Sequence, residues 1–234
     1  MDLIDNNIRY IIRLSNFINS NSNSANKADI RYVSLHTLAQ TAQNFGLSLL
    51  LSRKLHNVEF CQENISTDIF DDDLPNIIYN LEGFLHNSFF INFFVHIENH
   101  IRQLAIHFEN KPKEINVFSI VQSLKKLSKD EKTLISLTEH EIEIFQYYCY
   151  LRNTMHNAGF QTQQSNKIRI VDSESIFGHQ DFIMEIKQST QVEFSLREQL
   201  VLHEQIVKII IKINMQIPIE DFIEHRFTTI GFYK

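Results

Sequence analysis

The chain has 234 residues and a formal net charge of −6, and its 43% hydrophobic content is enough to bury one large core. The acidic balance excludes a protein that coats nucleic acid through bulk positive charge, while leaving room for a local basic pocket. With only 5 Gly and 3 Pro beside 19 Phe, the composition favours long helices joined by few turns over a sandwich of short strands.

Residues 2–19 place Leu3, Ile4, Ile8, Ile11, Ile12, Leu14, Phe17 and Ile18 at helical spacing. Charged residues interrupt the apolar run, so it reads as an amphipathic helix and not as a leader peptide. It passes into NSNSNSANKAD, a polar low-complexity stretch that makes a candidate boundary. The expected organisation is an N-terminal helical arm within residues 1–60 and a helical domain over 61–234, with one continuous domain over 1–234 as the alternative. A second helix is expected over 31–57. CQENISTDIFDDDLPNIIYN then reads as a loop, with Asp73 as N-cap and Pro75 in the first turn of the next helix.

From residue 87 to 109, at about 100° per residue, Phe90, Phe93, Phe94, Ile97, Ile101, Leu104, Ala105 and Phe108 share one apolar face. Glu98 and Arg102 flank it on one side, and His96, His100 and His107 on the other. A helix near 116–128 and a charged turn, SKDEK, follow. The next helix runs over 138–157, opened by a Thr138/Glu141 capping box and stopped by Asn157 and Gly159. NKIRIV and DFIMEIK alternate apolar with polar residues and predict a β-hairpin. A last long helix is expected over 195–216, with one more short helix in PIEDFIEHRF. The predicted fold is mainly α, a helical bundle with a small β-hairpin before the last long helix.

Cys61 and Cys149 lie far apart and form no metal-type pair, which predicts a reduced, cytoplasmic setting. No run of roughly 18 residues is free of charge and apolar throughout, so no membrane span is expected. Asp71, Asp72 and Asp73 are explained by their place before a helix start, where acids meet free amides and the helix dipole. His96 and His100 have a spacing that can hold zinc, yet no H-E-x-x-H pattern or nearby cysteine accompanies them, and half-exposed histidines flanking a core face are expected. No metal or other cofactor is expected.

The helix over 138–157 carries more. Ile142, Phe145, Tyr148 and Cys149 define its buried face, and the wheel sets Arg152 and His156 in the middle of that face, one turn apart. A buried arginine needs a partner: a carboxylate, with Glu98 the foremost choice, another chain, or a phosphate. Arginine with histidine suits cleavage of an RNA phosphodiester. Imidazole titrates near neutral pH and can move the proton, while the guanidinium grips the phosphate and its growing charge. The nucleophile is then the substrate's own 2′-hydroxyl, and two histidines brought together by a symmetric dimer can act as base and acid.

LRNTMHNAG, preceded by a long helix bearing HIENHIRQLAIHF and followed by a hairpin and another long helix, resembles the HEPN superfamily over roughly residues 80–216. That superfamily has an all-helical core and a signature Arg, often followed by Asn, with a His a few residues later at a helix end. Three residues separate the pair here, against four to six in the family. The resemblance implies a metal-independent endoribonuclease, active as a homodimer on RNA, in a toxin–antitoxin or abortive-infection setting with an antitoxin or regulatory protein as partner. It implies Arg152 as phosphate stabiliser, His156 as general acid/base, Asn153 as a pocket-shaping residue and Glu98 as the carboxylate that positions the arginine. Asn157, Lys167 and Arg169 are the expected further contacts to RNA. The second reading is a non-catalytic HEPN-like interaction module in which Arg152 and His156 hold a dimer or partner together.

Overall fold

A chain so poor in Gly and Pro builds long helices, and the computed structural model is mainly helical. It describes residues 3–22, 26–109, 117–127, 135–156, 165–189 and 195–224. The elements are α1 (Leu3–Ser20), α2 (Ile30–Ser52), α3 (Val58–Asn64), α4 (Leu74–Glu109), α5 (Val117–Leu127), α6 (Glu139–His156), β1 (Asn166–Asp172), β2 (Gln180–Ile186) and α7 (Leu196–Gln216). Among the described residues no helix is long and apolar enough to cross a membrane.

The spine is α4, whose 36 residues extend about 54 Å at the rise of an α-helix. Its middle buries Phe90, Phe93, Ile97, Ile101 and Leu104 completely. The same buried cluster takes in Ile11, Leu14 and Ile18 of α1, Leu38 of α2, Phe145 and Leu151 of α6, and Ile206 and Ile210 of α7. The first helix is therefore a wall of the shared core. It approaches α2 closely at Gly46, where an added Cβ would stand 3.2 Å from Ile11 Cγ2.

Three helices meet at His203 of α7, which is fully buried. Phe93 lies 4.1 Å from its ring centroid, Phe89 5.0 Å and Tyr148 5.7 Å. The Tyr148 hydroxyl sits 3.1 Å from Nδ1, and Gln199 Nε2 sits 3.3 Å from the other ring nitrogen, Nε2. Each ring nitrogen of the neutral imidazole thus has a partner, one serving as donor and the other as acceptor.

The hairpin pairs Asn166 with Ile186 through Asp172 with Gln180 in antiparallel register. Alternation turns Ile168, Ile170, Met184 and Ile186 inward. Its connecting segment is clamped to α7 by the buried Glu204 carboxylate, which accepts from Ser175 Oγ at 2.6 Å and the Ile176 amide at 3.0 Å and pairs with Lys208 at 2.9 Å. Lys208 also bonds Asp172, so the buried charge is compensated on every side.

The predicted capping box of Thr138 with Glu141 forms, and the structure adds a second at α7, Ser195 with Glu198. Other boundaries differ from the sequence expectation. The helix expected over 31–57 stops at Ser52 and tightens into a 3₁₀ turn over Arg53–His56. The first residues of the expected loop belong to α3, which starts at Val58, because Asn57 Oδ1 caps the Phe60 amide at 2.9 Å and Cys61 is buried. The tail over residues 218–224 is not helical. Arg31 bonds the carbonyls of Pro218 and Asp221, and the Ile30 amide bonds that of Ile223, so tertiary donors take the groups a helix would use.

Gly46→Leu should lower stability by about 1–3 kcal/mol through overpacking at Ile11. Gly83→Ala, in a part of α4 with nothing within 4 Å of an added Cβ, should raise it by roughly 0.5–1 kcal/mol. Urea unfolding midpoints read both. Burial pulls the His203 imidazole from its ordinary 6.5 down to about 3, and moves His86 and His96 the same way. Between those values the unfolded chain binds a proton that the native state does not. Stability is therefore full above pH 6.5 and falls on acidification, by about 1.4 kcal/mol per pH unit for His203 alone. Urea melts across this range should show that slope, and His203→Gln should flatten it.

Candidate functional site

A cleft of about 500 Å³ opens between α4, α5 and α6, lined by ten residues that include Phe94, Glu98, Arg102, Phe118, Gln146, Cys149, Tyr150, Arg152 and Asn153. Regular helical spacing supplies both walls. Phe94, Glu98 and Arg102 succeed one another at i, i+4 along α4, and Gln146, Tyr150 and Asn153 do so at i, i+4 and i+7 along α6.

Arg152 stands at the margin of the buried face of α6, half-buried, and not in its middle as the wheel expected. That face is centred on Ile144, Tyr148 and Leu151, because α6 is covered by α7 and β1 as well as by α4. The Arg152 guanidinium lies 5.5 Å from the Phe94 ring centroid and donates to Asn153 Oδ1 at 3.2 Å. Among the described residues no carboxylate pairs with it. Glu98, the partner expected from the sequence, is instead bonded by Arg102, with Nε at 2.9 Å and Nη2 at 2.7 Å from Oε1. Glu98 and Arg102 are one turn apart on a single helix, so their pair forms without help from tertiary packing.

The structure thus brings Glu98, Arg152 and Asn153 to one cleft. His156 is the final residue of α6, one turn beyond Arg152; its side chain and the whole of Asn157 lie outside the described residues. Lys167 and Arg169 are exposed on β1 and do not line the cleft. Arg169 is held by Asp181 through two hydrogen bonds, of 2.9 and 2.8 Å. Their alternating positions give the outward face of a strand, and only the placement of the hairpin decides what that face meets.

Sequence reasoning missed Phe94 as a support for the arginine, Arg102 as the partner of Glu98, and Gln146, Tyr150 and Phe118 as cleft residues. The i, i+4 and i+7 spacing on α6 was the signal available for Gln146 and Tyr150. The histidine row also divides: His100 is fully buried between Ser34 Oγ at 2.8 Å and Asn214 Oδ1 at 2.9 Å, His96 is half-buried, and His107 is exposed. The half-exposed row expected from the wheel is corrected by the packing of α2 and α7 over His100. Among the described residues no group of three or more His, Cys, Asp or Glu side chains is placed to hold a metal ion.

No family model matches this chain, and none of the curated proteins or solved structures matches it either.

Burial pushes the Cys149 thiol up to about 12; the nearby Glu98 charge raises it further, and Arg152 opposes both. Cys149 should therefore resist alkylation at neutral pH. At a fixed alkaline pH, Glu98→Gln should speed its reaction with iodoacetamide several-fold, and Arg152→Ala should slow it. Mass-spectrometric labelling rates at Cys149 check both directions.

Proposed function

We propose that this chain is a metal-independent endoribonuclease of HEPN type that acts as a homodimer. The observation that carries the reading is the state of Arg152. It is a half-buried cation at a cleft, held over an aromatic ring and by Asn153, with its expected carboxylate partner already bonded to Arg102. An anion of the size of a phosphate is the complement that such a group lacks.

In this reading an RNA phosphate lies against Arg152, with Asn153 orienting the guanidinium. The substrate's 2′-oxygen attacks phosphorus and gives its proton to one histidine. The bond to the 5′-oxygen breaks, and that oxygen takes a proton from a second histidine. The products are a 2′,3′-cyclic phosphate and a 5′-hydroxyl, with no redox change. His156 of one copy and its equivalent in a second copy serve as base and acid. The substrate is RNA because DNA has no 2′-hydroxyl. A role as toxin or phage-defence effector, kept in check by an antitoxin or regulatory protein, belongs to the same proposal.

The alternative, a non-catalytic interaction module, draws on a different observation. Leu47, Leu50 and Leu51 at the end of α2 and Tyr79 and Phe84 near the start of α4 are all exposed, an apolar display of the kind that mediates protein contacts.

The deciding experiment incubates purified protein with mixed RNA in EDTA. Wild type should leave cyclic-phosphate ends, while His156→Ala and Arg152→Ala should each lose at least about a hundred-fold in rate, the scale of removing a proton-transfer or charge-stabilising group. Cleavage at wild-type rate by His156→Ala overturns the assignment. Absence of cleavage by the intact wild-type dimer favours the interaction module.

A further inference from the structure

The cleavage reading leaves two polar groups in the cleft without a role. Gln146 and Tyr150 stand one turn apart on α6, both line the cleft, and Gln146 Nε2 donates to the Tyr150 hydroxyl oxygen at 3.0 Å. Among the described residues neither side chain has a second hydrogen-bond partner. The amide oxygen is left to accept and the phenol hydrogen is left to donate. Turning the amide over exchanges the roles without changing the outcome, since the amide N–H then donates and the phenol oxygen accepts. In both orientations the pair presents at least one donor beside at least one acceptor.

That pattern discriminates among ligands. A phosphate offers acceptors only and leaves the acceptor of the pair unmet. A nucleobase edge offers a donor next to an acceptor, as the amino group and ring nitrogen of adenine do. The pair is also close to the cation. Gln146 and Asn153 are separated by two turns, about 10 Å along the helix, and Tyr150 lies between them. Phe118, half-buried on the α5 side of the cleft, and the Tyr150 ring supply flat apolar surface of the kind on which unpaired bases stack. Anion site, mixed donor–acceptor edge and aromatic surface occur together in one cleft of about 500 Å³, and the ligand that combines the matching chemistries is a nucleotide.

We propose that Gln146 and Tyr150 recognise the nucleobase next to the phosphate held at Arg152, so that the cleft selects its RNA by base as well as by charge. The inference rests on the reading of this cleft as an RNA site.

The test titrates the full chain in EDTA, by calorimetry, with the four nucleoside 3′-monophosphates. Wild type should bind one of them about five-fold or more tighter than the least favoured, the scale of one hydrogen bond gained or lost. Tyr150→Phe, which keeps the ring and removes only the hydroxyl, and Gln146→Ala should each level the four affinities. Arg152→Ala should weaken all four to a similar degree. Circular dichroism melts establish that each variant is folded. Equal affinities in wild type, no binding at all, or a preference that survives both Tyr150→Phe and Gln146→Ala overturns the proposal. Mapping cut sites on a randomised RNA separates the two readings. Cleavage without base preference removes this inference and leaves the ribonuclease, whereas base-selective binding without cleavage removes the ribonuclease and leaves a nucleotide-binding site.

Discussion

A neutral imidazole enclosed by aromatic rings holds the centre of this protein. His203 of α7 meets Phe89 and Phe93 from α4 and the Tyr148 hydroxyl from α6, and Gln199 bonds its second ring nitrogen. Every polar atom of the ring is satisfied while it stays uncharged, and its protonation is opposed by full burial. A packed aromatic pair contributes roughly 0.5–1.5 kcal/mol beyond its buried area, and leaving one of these hydrogen bonds unmet would cost about 1–3 kcal/mol. The relative placement of α4 and α6, and hence the two long walls of the cleft, follows from this junction.

Charged groups fasten the periphery to that centre. Arg31 reaches from the first turn of α2 to the carbonyls after α7, and Asp29 holds the other side of its guanidinium at 2.6 Å. Glu204 receives the hairpin connection and is balanced by Lys208. Each buried ion is paired and hydrogen-bonded, the condition under which such groups are tolerated in an interior. Their value here is positional: one fixes the path of the chain after α7, and the other fixes the hairpin beside it.

The cleft illustrates a competition for one carboxylate. Glu98 can be reached from Arg102 on its own helix, and the i, i+4 geometry satisfies that pair locally. Arg152 is left with the face of Phe94 and the side chain of Asn153. A ring quadrupole and a neutral amide support a guanidinium without neutralising it, which keeps the cation available to an incoming anion. The proposed RNA chemistry and the proposed base recognition both depend on that arrangement of α4 against α6.

Local signals alone determined a good part of this structure. Capping boxes at Thr138 and Ser195, the alternating strands of the hairpin and the long apolar period of α4 depend on neighbours within a few residues, and each is legible in the sequence. Tertiary structure decided the rest. Residues 218–224 follow the donors of α2 instead of coiling, α1 joins the core instead of standing apart, and His100 is buried by Ser34 and Asn214, which lie 66 and 114 residues away. The sequence also marked Arg152 as a cation in need of a partner, but the choice of partner was decided by which side chains packing brought within reach. Gln146 and Tyr150 became candidate recognition groups for the same reason: helical spacing aligned them, and only the approach of α4 and α5 made the surface they share into a cleft.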